Sequence, residues 1–184
     1  VTLFLRAGMN PNDEIPWMNQ TALKHAAKNG NLDSVKTLID NGADIEEGMR
    51  CAASYHQRKI LDWMLKKNPG QAAINSSLHA AVGMGATDIV RMLLDKGADI
   101  NFVNKSKDGF ISTSPNTSVL MEALLGGGKP DIEEIRLLLS KGADVNLKVD
   151  NEEKPSALFV AATRNNADLV DLLLTHGADV NVKN

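Results

Sequence analysis

A single cysteine, Cys51, leaves this 184-residue chain no means of closing a disulfide within itself. That excludes the small disulfide-stapled folds and suits a reducing compartment. Aromatic residues are scarce, at 4% of the chain. Alanine and leucine must then do most of the packing, which fits thin, closely spaced helices. No apolar run approaches the ~20 residues that cross a bilayer, and no secretory signal pattern is present. Basic excess is missing too. Twenty Lys and Arg stand against 23 Asp and Glu, for a net charge of −3. A general nucleic-acid or acidic-membrane binder would show a basic stripe instead. The four histidines, His25, His56, His79 and His176, make no close pair, and there is no Cys-x2-Cys. Neither a metal site nor a cofactor is expected. A nucleophile built from Cys51 and a histidine would have nothing to orient it, so no catalytic residue is assigned.

What the chain has is a repeated phrase. Lys-Gly-Ala-Asp-Ile-Asn (96–101) returns as Lys-Gly-Ala-Asp-Val-Asn (141–146) and His-Gly-Ala-Asp-Val-Asn (176–181), with looser copies at 41–46 and 7–12. Recurrence at tens of residues signals a solenoid, which grows by stacking and has no single central core. The stretches Thr21–Gly42, Ser76–Gly97 and Ser156–Gly177 align without gaps, the last residue of each standing 21 positions after the first. Glu47–Asn68 is a degenerate copy, with Asn in place of the closing Gly. Ser118–Gly142 is three longer, and its surplus falls at Gly127-Gly128-Lys129-Pro130. The predicted units are therefore 21–46, 47–75, 76–117, 118–155 and 156–184, after residues 1–20, the end of a preceding unit and its hairpin. The chain opens inside the apolar run Val1-Thr2-Leu3-Phe4-Leu5 and stops where another unit would begin, so it reads as a piece of a longer protein.

Each cassette predicts two short helices. The first carries Leu23, Ala26 and Ala27 at i, i+3, i+4, and the second carries Val35, Leu38 and Ile39 at the same spacing. The alanines recur as Ala52-Ala53 and Ala161-Ala162, small enough to let neighbouring helices approach. Thr21, Ser76, Ser118 and Ser156 are placed as N-caps. Gly42, Gly97, Gly142 and Gly177 are placed where the second helix ends in a left-handed residue. Gly126-Gly127-Gly128-Lys129 is not a phosphate loop, because a helix precedes it and Pro130 follows. It reads as a lengthened turn, with Pro130 and Asp131 starting the next helix. Trp63, on a second helix, is expected to pack.

Thr21-Ala-Leu-Lys-His-Ala-Ala27 and Ser77-Leu-His-Ala-Ala81 resemble the Thr-Pro-Leu-His-x-Ala-Ala opening of the ankyrin repeat, and Gly-Ala-Asp-Val/Ile-Asn resembles its close. The resemblance implies an all-α ankyrin-repeat solenoid of helix-turn-helix units with β-hairpin or loop fingers. No cassette has the opening's Pro, and only His79 matches its His, which in the family bonds the turn. The resemblance further implies a non-catalytic protein–protein interaction module, monomeric as an isolated piece and working inside cells, in the cytoplasm. A secreted bacterial effector would do so in a host's cytoplasm. Its partner would be another protein or peptide, gripped by the concave face and the fingers. Asn101, Asn146 and Asn181 resemble the hydroxylated asparagines of animal ankyrin repeats, and equally the repeat's ordinary hairpin asparagines.

The connectors differ where the cassettes agree, and solenoid insertions map to one face, often the binding face. A finger at 9–20 carries Trp17 and Met18. Two stunted connectors follow, 43–46 and 69–75, and then a long finger at 98–117 with Phe102, Phe110 and Ile111. The pattern predicts a notch between Trp17 and the long finger, floored by the variable first-helix positions Ser54, Tyr55, Gly83 and Met84. Lys28, Asn29 and Arg164 hold the matching positions of other cassettes. An eroded repeat with Trp17 leaning on the next finger explains the short connectors equally well. Two other functions stay open: a substrate-recruiting or regulatory part of a larger enzyme, and a peptide or small-ligand site in the notch.

Overall fold

The hydroxyls of Thr21, Ser118 and Ser156 do cap helices, accepting from the backbone N–H of Lys24, Met121 and Phe159 at 3.1–3.2 Å. Each cap satisfies an orphan N–H that the first turn would otherwise leave open. In the computed structural model, which describes residues 8, 10–15, 18, 20–105, 116–126, 130–149 and 155–181, ten helices follow in pairs. They are α1 (Ala22–Lys28), α2 (Leu32–Asp40), α3 (Ile45–Ser54), α4 (Arg58–Leu65), α5 (Gln71–Gly83), α6 (Thr87–Asp95), α7 (Val119–Leu125), α8 (Ile132–Ser140), α9 (Ala157–Thr163) and α10 (Ala167–Thr175). Asp131 caps α8, as expected, by accepting from the Glu133 N–H at 2.9 Å. The glycine-rich residues 127–129 between α7 and α8 lie outside the described residues.

Odd-numbered helices pack side by side as an inner layer, and each even-numbered helix packs behind its partner as an outer layer. Ala27, Ala52, Ala53, Ala81 and Ala161 are fully buried along the inner layer. Leu38, Met64, Leu93, Leu138 and Leu173, one per unit, are buried beneath the outer helices. Losing any of these larger side chains to Ala would cost about 2–5 kcal/mol. Trp63 is half-buried against the core, with Lys67 Nζ 4.8 Å from its ring centroid.

The closing glycines adopt φ between +84° and +94°. Where the degenerate unit lacks glycine, Asn68 takes φ +53° in its place and His56 takes φ +56° in the turn between α3 and α4. Asparagine and histidine are among the non-glycine residues that enter that region most readily, although each still carries a Cβ crowding that glycine lacks.

Two antiparallel hairpins project from the N-terminal ends of inner helices. Strand β1 (Glu14–Ile15) pairs with β2 (Gln20–Thr21), and β3 (Val103–Asn104) pairs with β4 (Thr117–Ser118). Between them the connectors are not stunted loops. Helix α3 starts at Ile45 and α5 at Gln71, so both inner helices reach back into the connector. Ser76 is therefore no N-cap. It sits within α5, and its hydroxyl lies 3.3 Å from both Ala73 O and Glu46 Oε1. The reason is local. Pro69-Gly70 ends the preceding turn, and Gln-Ala-Ala-Ile-Asn (71–75) contains no breaker to delay the helix.

One aspartate serves two purposes. Asp99, Asp144 and Asp179 each accept from the N–H two residues on, at Asn101, Asn146 and Asn181, bending the chain out of the unit. Asp44 makes the same bond to Glu46, and there it becomes the N-cap of α3. The asparagines then clasp the next unit. Asn12, Asn101 and Asn146 each accept from the N–H of the aspartate at the end of the following unit, Asp44, Asp144 and Asp179. Their amides donate to Gly42 O, Gly142 O and Gly177 O. The third unit has no hairpin to supply such an asparagine. Asn75 and Gln71, on the helical extension of α5, replace it, bonding Asp99 N–H at 2.8 Å and Gly97 O at 2.9 Å.

Candidate protein-binding surface

Exposure on the inner helices concentrates at their C-terminal ends. Helix α1 ends in exposed Lys28 and Asn29, α3 in half-buried Tyr55, α5 in Met84, α7 in Leu125, and α9 in exposed Thr163 and Arg164. Met84 and Leu125 are 37% and 36% exposed. Lys28 Nζ lies 4.8 Å from the Tyr55 ring centroid, joining the first two units through a cation–π contact. Gln57 donates to Lys28 O across the same junction at 3.0 Å. At Gly126 a Cβ would lie only 3.3 Å from Gly83 O, so the ends of α5 and α7 meet closely. These ends form one continuous stripe, Lys28–Tyr55–Met84–Leu125–Arg164. Phe159, 46% exposed, lies near the N-terminal end of α9, at the finger end and not on this stripe.

The expected site residues divide on this geometry. Lys28, Asn29, Tyr55, Met84 and Arg164 reach the surface. Ser54 does not: it is 1% exposed and its hydroxyl donates to Arg50 O at 3.0 Å. Phe102 packs partly into the core, edge-on to the His79 ring at 6.4 Å between centroids. Met18 is 39% exposed in the β1–β2 turn. Trp17, Phe110 and Ile111 lie outside the described residues. Tyr55 and Met84 also do not floor the space between the fingers. The hairpins leave the N-terminal ends of inner helices, and the ten residues of α3 put Tyr55 about 15 Å away along the axis. Glu46, Gln71, Ile74 and Ser76 occupy the finger end instead.

Leu125 and Phe159 were not singled out in the sequence, yet a signal existed for one. Leu125 holds the same cassette position as Lys28 and Gly83, seven residues after the opening Thr or Ser. The lengthened turn beside it hid that equivalence. Phe159 stands where His79 stands in its own unit, a position expected to face the turn.

Buried polar groups behind the stripe join units together. His79 Nε2 lies 3.2 Å from Thr117 O and 3.1 Å from Thr117 Oγ1, which makes His79 the turn-bonding residue expected, reaching the next unit's hairpin. A carbonyl can only accept, so Nε2 carries the proton. Burial pushes the His79 pKa down to about 4, partly offset by the bond to Thr117, and the ring is neutral at neutral pH. Thr117 Oγ1 donates in turn to Glu122 Oε2 at 3.2 Å, and Glu122 is fully buried. In the outer layer Thr87 Oγ1 donates to Glu134 Oε2 at 2.8 Å. Burial pushes the Glu134 pKa up to about 7, the Thr87 bond opposing and nearby Asp131 adding to the rise. At the finger end, Lys24 pairs with Glu47 at 2.7 Å.

The chemistry of a catalytic site finds no support in these groups. Cys51 is buried, its thiol 3.2 Å from Lys24 O, and burial above all raises its pKa to about 11. A thiol held protonated is a poor nucleophile. Among the described residues no three His, Cys, Asp or Glu side chains cluster as metal ligands would. Asn101 and Asn146, resembling hydroxylation sites, have both side-chain polar atoms engaged in the clasps. Asn181 is exposed. No described helix is long and apolar enough to cross a membrane.

Comparison with known proteins agrees with the repeat architecture. The family model for "Ankyrin repeats (3 copies)" matches residues 102–184, and that for a single "Ankyrin repeat" matches 18–48 and 74–105. The unmatched stretch 49–73 is the degenerate unit with His56 and Asn68 at positive φ. Protein phosphatase 1 regulatory subunit 27 of Mus musculus is 33% identical over 105 residues, which is 57% of this chain and 54% of that protein. The chain thus spans about half the length of this curated relative. The crystal structure of the ankyrin repeat domain of Bcl-3, described as a unique member of the IkappaB protein family, superposes with a TM-score of 0.72 at 26% identity. That match covers 100% of this chain and 81% of the other. Paired helices, left-handed closing residues, asparagine clasps and these matches converge: the chain belongs to the ankyrin-repeat family, whose members are generally protein–protein interaction modules.

Proposed function

We propose that this chain recognises another protein through the solvent-facing side of its inner helices and carries out no chemistry of its own. The observation that carries the reading is the Tyr55–Met84–Leu125 stripe. Met84 and Leu125 are exposed and Tyr55 is half-buried, at the C-terminal ends of three neighbouring inner helices. Tyrosine supplies large rigid contact area at low entropic cost. The hairpins extend the same face at the other end of the inner helices, where Met18 is accessible. The buried thiol of Cys51 and the neutral His79 favour a recognition role over a catalytic one.

Affinity capture with immobilised chain, followed by measured affinity for the recovered partner, tests this. Replacing Tyr55, Met84 and Leu125 together by Ala should weaken binding by at least about a hundredfold, since central apolar anchors each contribute about 1–2 kcal/mol or more. Undiminished affinity in a variant that keeps its helical circular-dichroism signal would refute it. One alternative has specific support. Similarity to a protein named as a phosphatase regulatory subunit favours a role in bringing a substrate or regulator to an enzyme. Co-purification of a catalytic subunit would distinguish that role from a freestanding scaffold.

A further inference from the structure

Two buried carboxyl groups stand where other units carry apolar side chains, and both belong to the fourth unit. Glu134 of α8 holds the position of Ile60, Ile89 and Leu169 on other outer helices, all of them at most 1% exposed. Glu122 of α7 holds the position of Cys51, Ala80 and Val160 on other inner helices, all buried. Both carboxyls face the third unit. Glu134 receives the Thr87 hydroxyl of α6, and a Cβ on Gly83 of α5 would come within 2.6 Å of Glu122 Oε1. At the same junction His79 Nδ1 is buried with no hydrogen-bond partner among the described residues. The clasp across it is the longest of its kind: Asn101 Nδ2 lies 3.4 Å from Gly142 O, against 3.0 Å for Asn12 and 2.8 Å for Asn146 at their glycines. The exposed Lys141–Asp95 pair that also crosses it, at 3.7 Å, adds little.

From this arrangement we infer that the junction between the third and fourth units is a pH-responsive joint, which opens more often as pH rises through neutrality and releases α7–α10 from α1–α6. Stability in a solenoid is a sum over units and their interfaces, so the array can part at one interface. In the 184-residue chain two units lie beyond the joint, fewer than the about three that a stack of repeats needs. Parting the joint therefore unfolds them. Glu134 is the trigger. Burial above all raises its pKa from 4.5 to about 7, the Thr87 bond opposing and Asp131 adding to the rise. Other charged groups of the elements around it are turned elsewhere. Asp88, beside Thr87 on α6, faces Arg58 at 3.4 Å, and Arg91 of that helix is exposed. Glu133 pairs with Arg136 at 3.7 Å, Glu122 of α7 accepts from Thr117, and Asp168 in the first turn of α10 is exposed. Below neutrality the closed joint holds a neutral carboxyl; above it, the closed joint holds a buried charge that opening hydrates. A carboxyl that titrates at 4.5 when open and about 7 when closed makes the opening equilibrium rise about tenfold between pH 6 and 8. His79 stays neutral over that range, its pKa held at about 4. The stripe crosses the joint between Met84 and Leu125, so opening would also part the proposed binding face. That consequence rests on the inner-face reading above, whereas the joint itself does not.

Backbone hydrogen exchange in the 184-residue chain, read by mass spectrometry at pH 6 and 8 and corrected for intrinsic rates, tests this. At pH 8 the amides of α7 and α8 should be at least about tenfold less protected than the slowest amides of α1–α5, and they should regain about tenfold of protection at pH 6. Glu134→Gln still accepts from Thr87 but cannot ionise, and it should remove this pH dependence. Glu134→Ile, which supplies the residue that the second and third units carry there, should do the same. Amides of α7 and α8 as slow as those of α1–α5 at pH 8 would show that the array opens as one, and would overturn the joint. A pH dependence that survives both substitutions would overturn Glu134 as its trigger. Both results are read without a partner, so neither touches the inner-face reading.

Discussion

Replacing Glu134 by Gln should make the fold more stable at pH 8 and leave it nearly unchanged at pH 4.5. Glu134 is 3% exposed at the start of α8, with one carboxylate oxygen receiving the Thr87 hydroxyl. Its pKa rises from the ordinary 4.5 to about 7, mainly through burial. A raised pKa means that the folded state holds the proton more tightly than the unfolded chain does. The stabilisation is therefore complete below pH 4.5 and is lost as pH climbs through 7. At 1.36 kcal/mol per pH unit, a rise from 4.5 to about 7 makes the loss across that window about 3 kcal/mol. Glutamine cannot ionise, and its amide oxygen can still accept from Thr87. Urea unfolding of both proteins at constant ionic strength, from pH 4.5 to 8, reads the difference between them. That difference should grow from near zero to about 3 kcal/mol in favour of Gln, with its midpoint between pH 4.5 and 7. His79 opposes the trend, because its lowered pKa makes stability fall as pH drops from 6.5 through 4. That contribution is common to both proteins and cancels in the difference. A difference that stays flat across the range would refute the assignment of a buried, protonated Glu134.

Other consequences are independent of this one. Asn75→Ala should cost about 1–2 kcal/mol in urea unfolding, similar to Asn146→Ala, because each breaks an inter-unit clasp and strands a backbone N–H. No loss at Asn75 would mean that the helical clasp does not substitute for the hairpin one. His56→Gly should stabilise the chain by about 0.5–1 kcal/mol, relieving a left-handed backbone at φ +56°; a lower melting temperature would contradict that. Cys51 should react with a thiol reagent at pH 7.5 only on the timescale of unfolding, since its thiol is buried and its pKa is about 11. Fast reaction in native buffer would show the inner layer to be open at α3.

The helix pairs were legible because two constraints, apolar spacing and a left-handed closing residue, are local and recur. Asn68 shows that even the degenerate unit keeps the backbone requirement after losing the glycine. The connectors were less legible. Counting residues between cassettes assumed that each unit opens at the same place, and Ser76 looked like Thr21, Ser118 and Ser156. Whether a serine caps a helix depends on what precedes it, and Gln71 to Asn75 favour helix. The sequence had shown an Asp in each phrase without showing that Asp44 would cap a helix while Asp99 turned a hairpin. The residue two positions on, Glu46 against Asn101, distinguishes them. At the site, variable first-helix positions point to Tyr55 and Met84, which lie half-buried and exposed at the C-terminal ends of α3 and α5. Spacing alone could not tell that Ser54 faces the interior, that Phe102 leans on His79, or that the fingers and Tyr55 lie at opposite ends of the inner layer.

Photocrosslinking tests the central claim, recognition through the inner face, most directly. A benzoylphenylalanine placed at Tyr55 should crosslink the bound partner, while the same group placed at Arg91 on outer helix α6 should not. Crosslinking from position 91 with none from position 55 would contradict the account.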